Sequence, residues 1–178
     1  VHTKIVENRN MDPEVAKEVA VKVGVAALKY GDLSNQVSKD YVFDVERFTS
    51  FEGDTGPYIL YTIVRIKSIL AKYEEIGKKL AADAVILPAT SSNEVDLMLE
   101  ISKFSDVLYS AYEETAPNRI CQYIYDLANV LNSFYHETKI ISEEDDRKQA
   151  SWIALISLVL DILQTCADLI GIEAPERM

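Results

Sequence analysis

The chain has 178 residues, of which 48% are hydrophobic and 26% charged, with six glycines and five prolines. That is enough for one good core, or a core plus a smaller subdomain, and it excludes the disordered and fibrous classes. The formal net charge is −11, with 9 basic and 10 acidic side chains in residues 1–70 against 9 and 19 in residues 71–178. Charge alone therefore argues against a nucleic-acid binder, because phosphate neutralisation supplies most of such affinity.

The first residues carry no basic stretch followed by a cleavage site. The longest apolar run, Trp152 to Leu160, ends at Asp161, short of the ~20 residues a bilayer requires. A soluble, cytoplasmic protein with no membrane partner is expected. Cys121 and Cys166 each lie inside an apolar helical pattern, which predicts buried structural thiols rather than a disulfide or a zinc site.

In chain order, Asp12-Pro13-Glu14 supplies a cap, a first-turn proline and a first-turn acid, opening a helix to about Tyr30 that stops at Gly31. Residues 32–56 are polar and turn-rich, with the short apolar run Tyr41-Val42-Phe43 and the turn Gly53-Asp54-Thr55-Gly56. Pro57 begins a second helix in which Tyr58, Tyr61, Arg65 and Ile69 recur at helical spacing, to about Leu80. Asn93 is read as the cap of a third long helix to about Glu113, with Asp96 completing an imperfect capping box. Thr115-Ala116-Pro117 opens a fourth, with Ile120, Ile124, Leu127, Leu131 and Phe134 on one stripe. Ser142 is read as the cap of the last helix, ahead of the acids 143–146 that suit its positive end. Its buried face is Trp152, Leu155, Ile156, Val159, Ile162, Leu163, Cys166 and Ile170, and Gly171 closes it. The pattern is all-α: a helical bundle over 57–178, its long helices joined by short loops, preceded by a helical linking segment over 1–56.

Catalytic signatures are absent from this sequence. Its two histidines are His2 and His136, and no HExxH, Walker loop, Ser/His/Asp order or Gly-rich strand-to-helix turn occurs. The acids 143–146 point to different sides of a helix and read as a solvated first turn rather than a cation site.

The stretch GVAALKYGDLSNQVSKDYVFDVERFTSFEGDTGPYILYTIVRIKSIL, residues 24–70, resembles the segment that joins the catalytic and anticodon-binding domains of arginyl-tRNA synthetases. ALKYGDLS, YVFD, ERFTSFEGDTGPY and then Tyr61 and Arg65 follow the family's order and spacing. PNRICQYIYDLANVLNSFYH resembles the fourth helix of the DALR anticodon-binding domain, and LIGIEAPERM resembles the family's C-terminus. The resemblance covers about residues 12–178, weakly over 72–115. The HIGH-like and KMSKS-like signatures that bind ATP in such synthetases do not occur here.

The resemblance implies the C-terminal portion of an arginine–tRNA ligase. Residues 1–56 would link to the catalytic domain and contact the tRNA stem, and 57–178 would bind the anticodon of tRNA(Arg). ATP and magnesium would belong to the missing catalytic domain, with no cofactor in this portion and a monomeric parent. It further implies that Tyr61, Arg65, Tyr135, Met178 and the loop Ser50, Phe51, Glu52, Gly53, Asp54 and Thr55 surround the anticodon. Where some family members carry a Trp four positions after Tyr135, this chain has Lys139, which could reach a phosphate instead. Tyr61 and Arg65 share a helix face, and a ring beside a guanidinium suits unstacked bases.

Each residue also has an ordinary reading without the family. Tyr61 and Tyr135 would be half-buried core aromatics, Arg65 a surface salt bridge and Met178 a frayed end. Asp44, Phe48, Phe51 and Tyr58 are read as fixing the loop against the bundle. Two alternatives stay open: the anticodon bundle of another class I synthetase, and a helical adaptor that binds proteins through an apolar groove.

Overall fold

A computed structural model describes residues 12–178, and those residues contain helices and connecting segments without a strand. In chain order the helices are α1 (Pro13–Leu33), α2 (Val45–Phe48), α3 (Gly56–Glu75), α4 (Ser92–Ser102), α5 (Phe104–Glu113), α6 (Asn118–Glu137) and α7 (Asp146–Leu169), with a 3₁₀ turn at Ile140–Ser142. The all-α expectation is met.

α3, α6 and α7 form the centre. The α6 stripe Ile120, Ile124, Leu127, Leu131 and Phe134 is buried, as is every residue expected on the inner face of α7. α6 and α7 are antiparallel, with Phe134 set edge-on to Trp152 at 6.3 Å. By length and composition α7 could cross a membrane, contrary to what its interrupted apolar run suggests. More than half of its most apolar window is buried inside the protein, so core packing accounts for that composition. Cys121 and Cys166 are buried free thiols, both pushed up to about 12 chiefly by burial.

α1 shares this core. Ala16, Val19, Val23, Ala26 and Tyr30 are buried in the same apolar cluster as α3, α6 and α7. The approach of α1 to α3 is close enough that a Cβ on Gly56 would lie 2.2 Å from the Ala26 carbonyl oxygen. The Tyr30 hydroxyl, fully buried, sits between the Asp54 carboxylate at 2.5 Å and the Cys121 carbonyl at 2.9 Å, two acceptors sharing one proton. Burial, reinforced by the Asp54 charge, pushes its ionisation well above the ordinary phenol range. One side chain thus ties α1, the loop ahead of α3, and α6.

Several element boundaries differ from the sequence reading, each for a local reason. α1 continues through Gly31 to Leu33. Gly31 is there for space, since a Cβ would meet the Phe48 ring at 2.8 Å. α3 stops at Glu75 rather than near Leu80, with Gly77 in the left-handed region at φ 79° just beyond. The connection 76–91 is long rather than short. Lys78 is held by Asp146 and Gln149, both at 2.6 Å, and the Leu87 N–H donates to the Ser151 hydroxyl at 2.8 Å.

The third helix is capped by Ser91, not Asn93. Its hydroxyl accepts from the Glu94 N–H at 3.3 Å, while the Glu94 carboxylate accepts from the Thr90 N–H at 3.0 Å, a capping box shifted by two residues. That helix also breaks at Lys103, whose N–H bonds back only three residues to the Glu100 carbonyl at 3.2 Å. Tyr123 donates to the same carbonyl at 3.2 Å, and the break re-aims α5 so that Phe104 packs 6.2 Å from the Tyr123 ring. Asp145, not Ser142, caps α7, accepting from the Arg147 and Lys148 N–H groups at 2.9 and 3.2 Å. Ser142 instead lies in the 3₁₀ turn.

Two substitutions test this core. Leu127, fully buried, should lose about 2–5 kcal/mol on truncation to Ala. Tyr30→Phe, which leaves both acceptors without their donor, should lose about 1–3 kcal/mol. Urea unfolding measures both; a loss under about 1 kcal/mol for Leu127→Ala would place that stripe outside the true core.

Candidate nucleic-acid interface

α3 and α6 lie side by side with their chains running the same way. Beside its apolar stripe, each helix carries a polar and aromatic one at helical spacing: Tyr58, Tyr61 and Arg65 on α3, and Tyr125, Asn129, Asn132 and Tyr135 on α6. These two rows meet. The Asn132 amide N–H donates to the Tyr58 hydroxyl at 2.6 Å, which donates to the Asn129 amide oxygen at 2.8 Å. The other side of the Asn132 amide, its oxygen, accepts from Arg65 Nη1. Arg65 Nη2 donates to the Tyr61 hydroxyl at 3.1 Å. Donation therefore radiates from Arg65 both ways, to Tyr61 directly and through Asn132 and Tyr58 to Asn129.

Two aromatic rings attend the guanidinium. It lies 4.7 Å from the Tyr61 ring centroid and 5.5 Å from that of Tyr135, both within cation–π range. Tyr58 sits edge-on to Tyr125 at 5.9 Å; burial pushes its phenol pKa up, against the opposing influence of the Asn132 hydrogen bond and the Arg65 charge. Among the described residues no carboxylate pairs with Arg65, so the ordinary salt-bridge reading of this residue does not hold. Its partners are neutral, and its positive charge remains available to an anion. Tyr135 is 36% exposed, and Tyr61 and Arg65 are half-buried.

The loop 50–55 heads α3. The Thr55 hydroxyl donates to the Ser50 carbonyl at 2.7 Å and accepts from the Tyr58 N–H at 3.3 Å, closing the loop and capping the helix at once. The Glu52 N–H donates to the Ser50 hydroxyl at 3.1 Å, and Gly53 takes φ 81°. Phe51 is half-buried against the core, Glu52, Gly53 and Asp54 are exposed, and Thr55 is buried. Asp54 turns to Tyr30. The loop therefore lies at the end of the seam, roughly 15 Å from Arg65 along α3 at 1.5 Å per residue, and joins it through Tyr58.

Lys139 is exposed just past the end of α6. Met178 is not frayed: it is 7% exposed and belongs to the core cluster, offering little surface to a ligand. The chain end is fixed there by Glu176, which pairs with Lys67 of α3 at 2.6 Å. The structure thus brings Tyr61, Arg65 and Tyr135 together, whereas the loop lies at the far end of the seam, Lys139 beyond the end of α6, and Met178 in the core. The sequence reading does not single out Asn129 and Asn132, which complete this network. Their signal was the 125, 129, 132, 135 spacing, a second stripe beside the apolar one. Asp44 caps α2 through the Arg47 N–H at 3.1 Å, and Phe48 is buried.

The family model described as the DALR anticodon binding domain matches residues 59–178. An arginine–tRNA ligase of Agathobacter rectalis is 57% identical over 174 residues, covering 97% of this chain and 29% of the relative. That of Alkaliphilus oremlandii is 56% identical over 178 residues, covering 100% of this chain and 30% of the relative. The arginyl-tRNA synthetase of Thermus thermophilus superposes with a TM-score of 0.85 at 29% identity, over 99% of this chain and 30% of that one. The synthetase of Plasmodium falciparum gives 0.79 at 28%, over 92% of this chain and 28% of that one. The chain spans about 30% of the length of the curated relatives it matches. With the match covering well over half of its residues, the chain belongs to the DALR anticodon-binding domain family.

Proposed function

We propose that this chain is the tRNA anticodon-binding portion of an arginine–tRNA ligase, and that the α3–α6 seam receives the anticodon loop of tRNA(Arg). The observation that carries this reading is Arg65, a guanidinium with no carboxylate partner among the described residues, held by Asn132 beside the rings of Tyr61 and Tyr135. Unstacked bases are bound by aromatic faces and by guanidinium planes, and a fixed positive charge beside them suits the phosphates that separate successive bases. Lys139 would add a phosphate contact at the α6 end, the loop 50–55 would bound the other end, and Met178 would support the site from within. Residues 12–56 would link the bundle to the catalytic domain of the same chain.

Aminoacylation would take place elsewhere in a monomeric, cytoplasmic parent. ATP and magnesium would belong to that missing catalytic domain, and the nucleotide-binding signatures have no counterpart in these residues. The net charge of −11 is compatible with this division, since the rest of the protein can supply the long-range attraction while the seam reads bases at short range.

Titration of the full-length enzyme against wild-type and anticodon-swapped tRNA, at fixed salt, tests the site. Tyr61→Ala should weaken cognate binding by about 1–3 kcal/mol, through loss of a stacking face. Tyr61→Phe should cost less. Arg65→Lys should still weaken binding, because an ammonium neither stacks nor forks. If these variants bind both tRNAs as the parent does, the anticodon site is not on this seam. The 178-residue chain alone should show no arginine-dependent ATP–pyrophosphate exchange, and measurable exchange would place catalytic chemistry within it.

A further inference from the structure

The seam does not end at Arg65. At about 100° per residue, Lys72 returns to within about 20° of the Arg65 direction, about 10 Å farther along α3. Between them Ser68 is exposed, its hydroxyl turned back to the Val64 carbonyl at 2.9 Å. Lys72 is exposed and, among the described residues, pairs with no carboxylate. The row on α6 also runs out to a base, Lys139, exposed two positions past Glu137. Because α3 and α6 run the same way, the two lysines close the same end of the seam.

Charge changes sign along the molecule. Residues 65–79 hold five bases and two acids, net +3, whereas residues 80–138 hold two bases and nine acids, net −7. The two acids of the basic stretch, Glu74 and Glu75, stand about 180° and about 80° around α3 from Arg65. Three of the acids at the start of α7, which Lys78 ties to this end, are already engaged. Asp146 pairs with Lys78 at 2.6 Å, Glu143 pairs with Lys148 at 3.5 Å, and Asp145 caps the helix. At the opposite end of the seam the loop exposes Glu52 and Asp54. A polyanion lying in the seam is therefore attracted at the Lys72 end and repelled at the loop end.

Lys72 also has an ordinary role. It lies in the last turn of α3, where a cation complements the negative end of the helix dipole. That role asks only for a place near the helix end. It does not ask for the direction of Tyr61 and Arg65, or for a side chain free of a carboxylate partner.

We propose that Lys72 is a further RNA-binding residue, holding a backbone phosphate of the strand where it leaves the seam. It adds affinity and sets the direction of the strand without reading a base, since an ammonium is a point charge with neither fork nor stacking face. This rests on the reading that the seam receives the anticodon loop, and it deepens that reading by saying at which end the RNA backbone is held.

Full-length enzyme carrying Lys72→Ala is titrated against wild-type and anticodon-swapped tRNA(Arg) between about 50 and 200 mM salt. Affinity for both should fall by the same factor, about threefold to fivefold, and the slope of log K against log salt should shrink by about 0.7. The ratio of the two affinities should stay as in the parent, which separates a phosphate contact from a base reader. Lys72→Arg should keep the parent's slope. Lys103→Ala, which removes a lysine paired with Glu100 in the acidic stretch, should leave the slope unchanged. An unchanged slope for Lys72→Ala overturns the proposal whatever that variant loses in urea unfolding, because the cation then serves only the end of α3. A loss confined to the cognate tRNA, or an equal change of slope in Lys103→Ala, overturns it as well. If Lys72→Ala lowers the slope while the Tyr61 and Arg65 variants bind both tRNAs as the parent does, the phosphate contact stands and the anticodon reading falls.

Discussion

The Tyr30 hydroxyl, fully buried where α1, the loop ahead of α3, and α6 meet, fixes the relation among the three. It can do so because both of its partners are acceptors held by other elements: a carboxylate at the loop's end and a main-chain carbonyl of α6. A buried hydroxyl with neither would be costly, so alternative placements of the loop are penalised. Once Asp54 is placed, Thr55 caps α3 and the phase of that helix follows, so Tyr58, Tyr61 and Arg65 face α6 rather than solvent or core.

The seam that results is polar although it sits beside the apolar centre of the bundle. Its members satisfy one another without a carboxylate: amide to phenol, phenol to amide, guanidinium to amide and phenol. A carboxylate in place of Asn132 would cancel the Arg65 charge and repel phosphate as well. Neutral partners hold the guanidinium in place and leave its charge intact. This accounts for how a strongly acidic chain can keep one anion-attracting point. Under the proposed function, the field that acts on a docked base is set within a Debye length of about 8 Å at physiological salt, not by the total charge.

Much of the fold was legible in the sequence because burial at 3.6-residue periodicity leaves a direct trace. The inner faces of α6 and α7 were read residue by residue and lie inside. Boundaries were less legible, because they depend on tertiary partners. Gly31 reads as a stop but is a contact with Phe48, seventeen residues away in no local pattern. The break at Lys103 serves the packing of Phe104 on Tyr123 from another helix. Ser91, Ser92 and Asn93 are equally good caps by type, and only the reach of Glu94 back to Thr90 selects Ser91.

The candidate site divides in the same way. Tyr61 and Arg65 are brought together by helix phase alone, which periodicity predicts. Tyr135 joins them only because α3 and α6 run parallel, a relation that no local pattern encodes and that family resemblance supplied. Asn129 and Asn132 are of a residue type that, inside a helix, reads as a weak helix former on the solvent side. Their value lies in being amides: each has a donor end and an acceptor end, and Asn132 uses one on Tyr58 and the other on Arg65. The 125, 129, 132, 135 spacing marks a second stripe, but a one-dimensional pattern does not say which partners that stripe meets. Met178 fails in the opposite sense. As the last residue of the sequence it reads as frayed, yet with Glu176 paired to Lys67 just before it the side chain can enter the core, where apolar burial holds the terminus against its own conformational entropy.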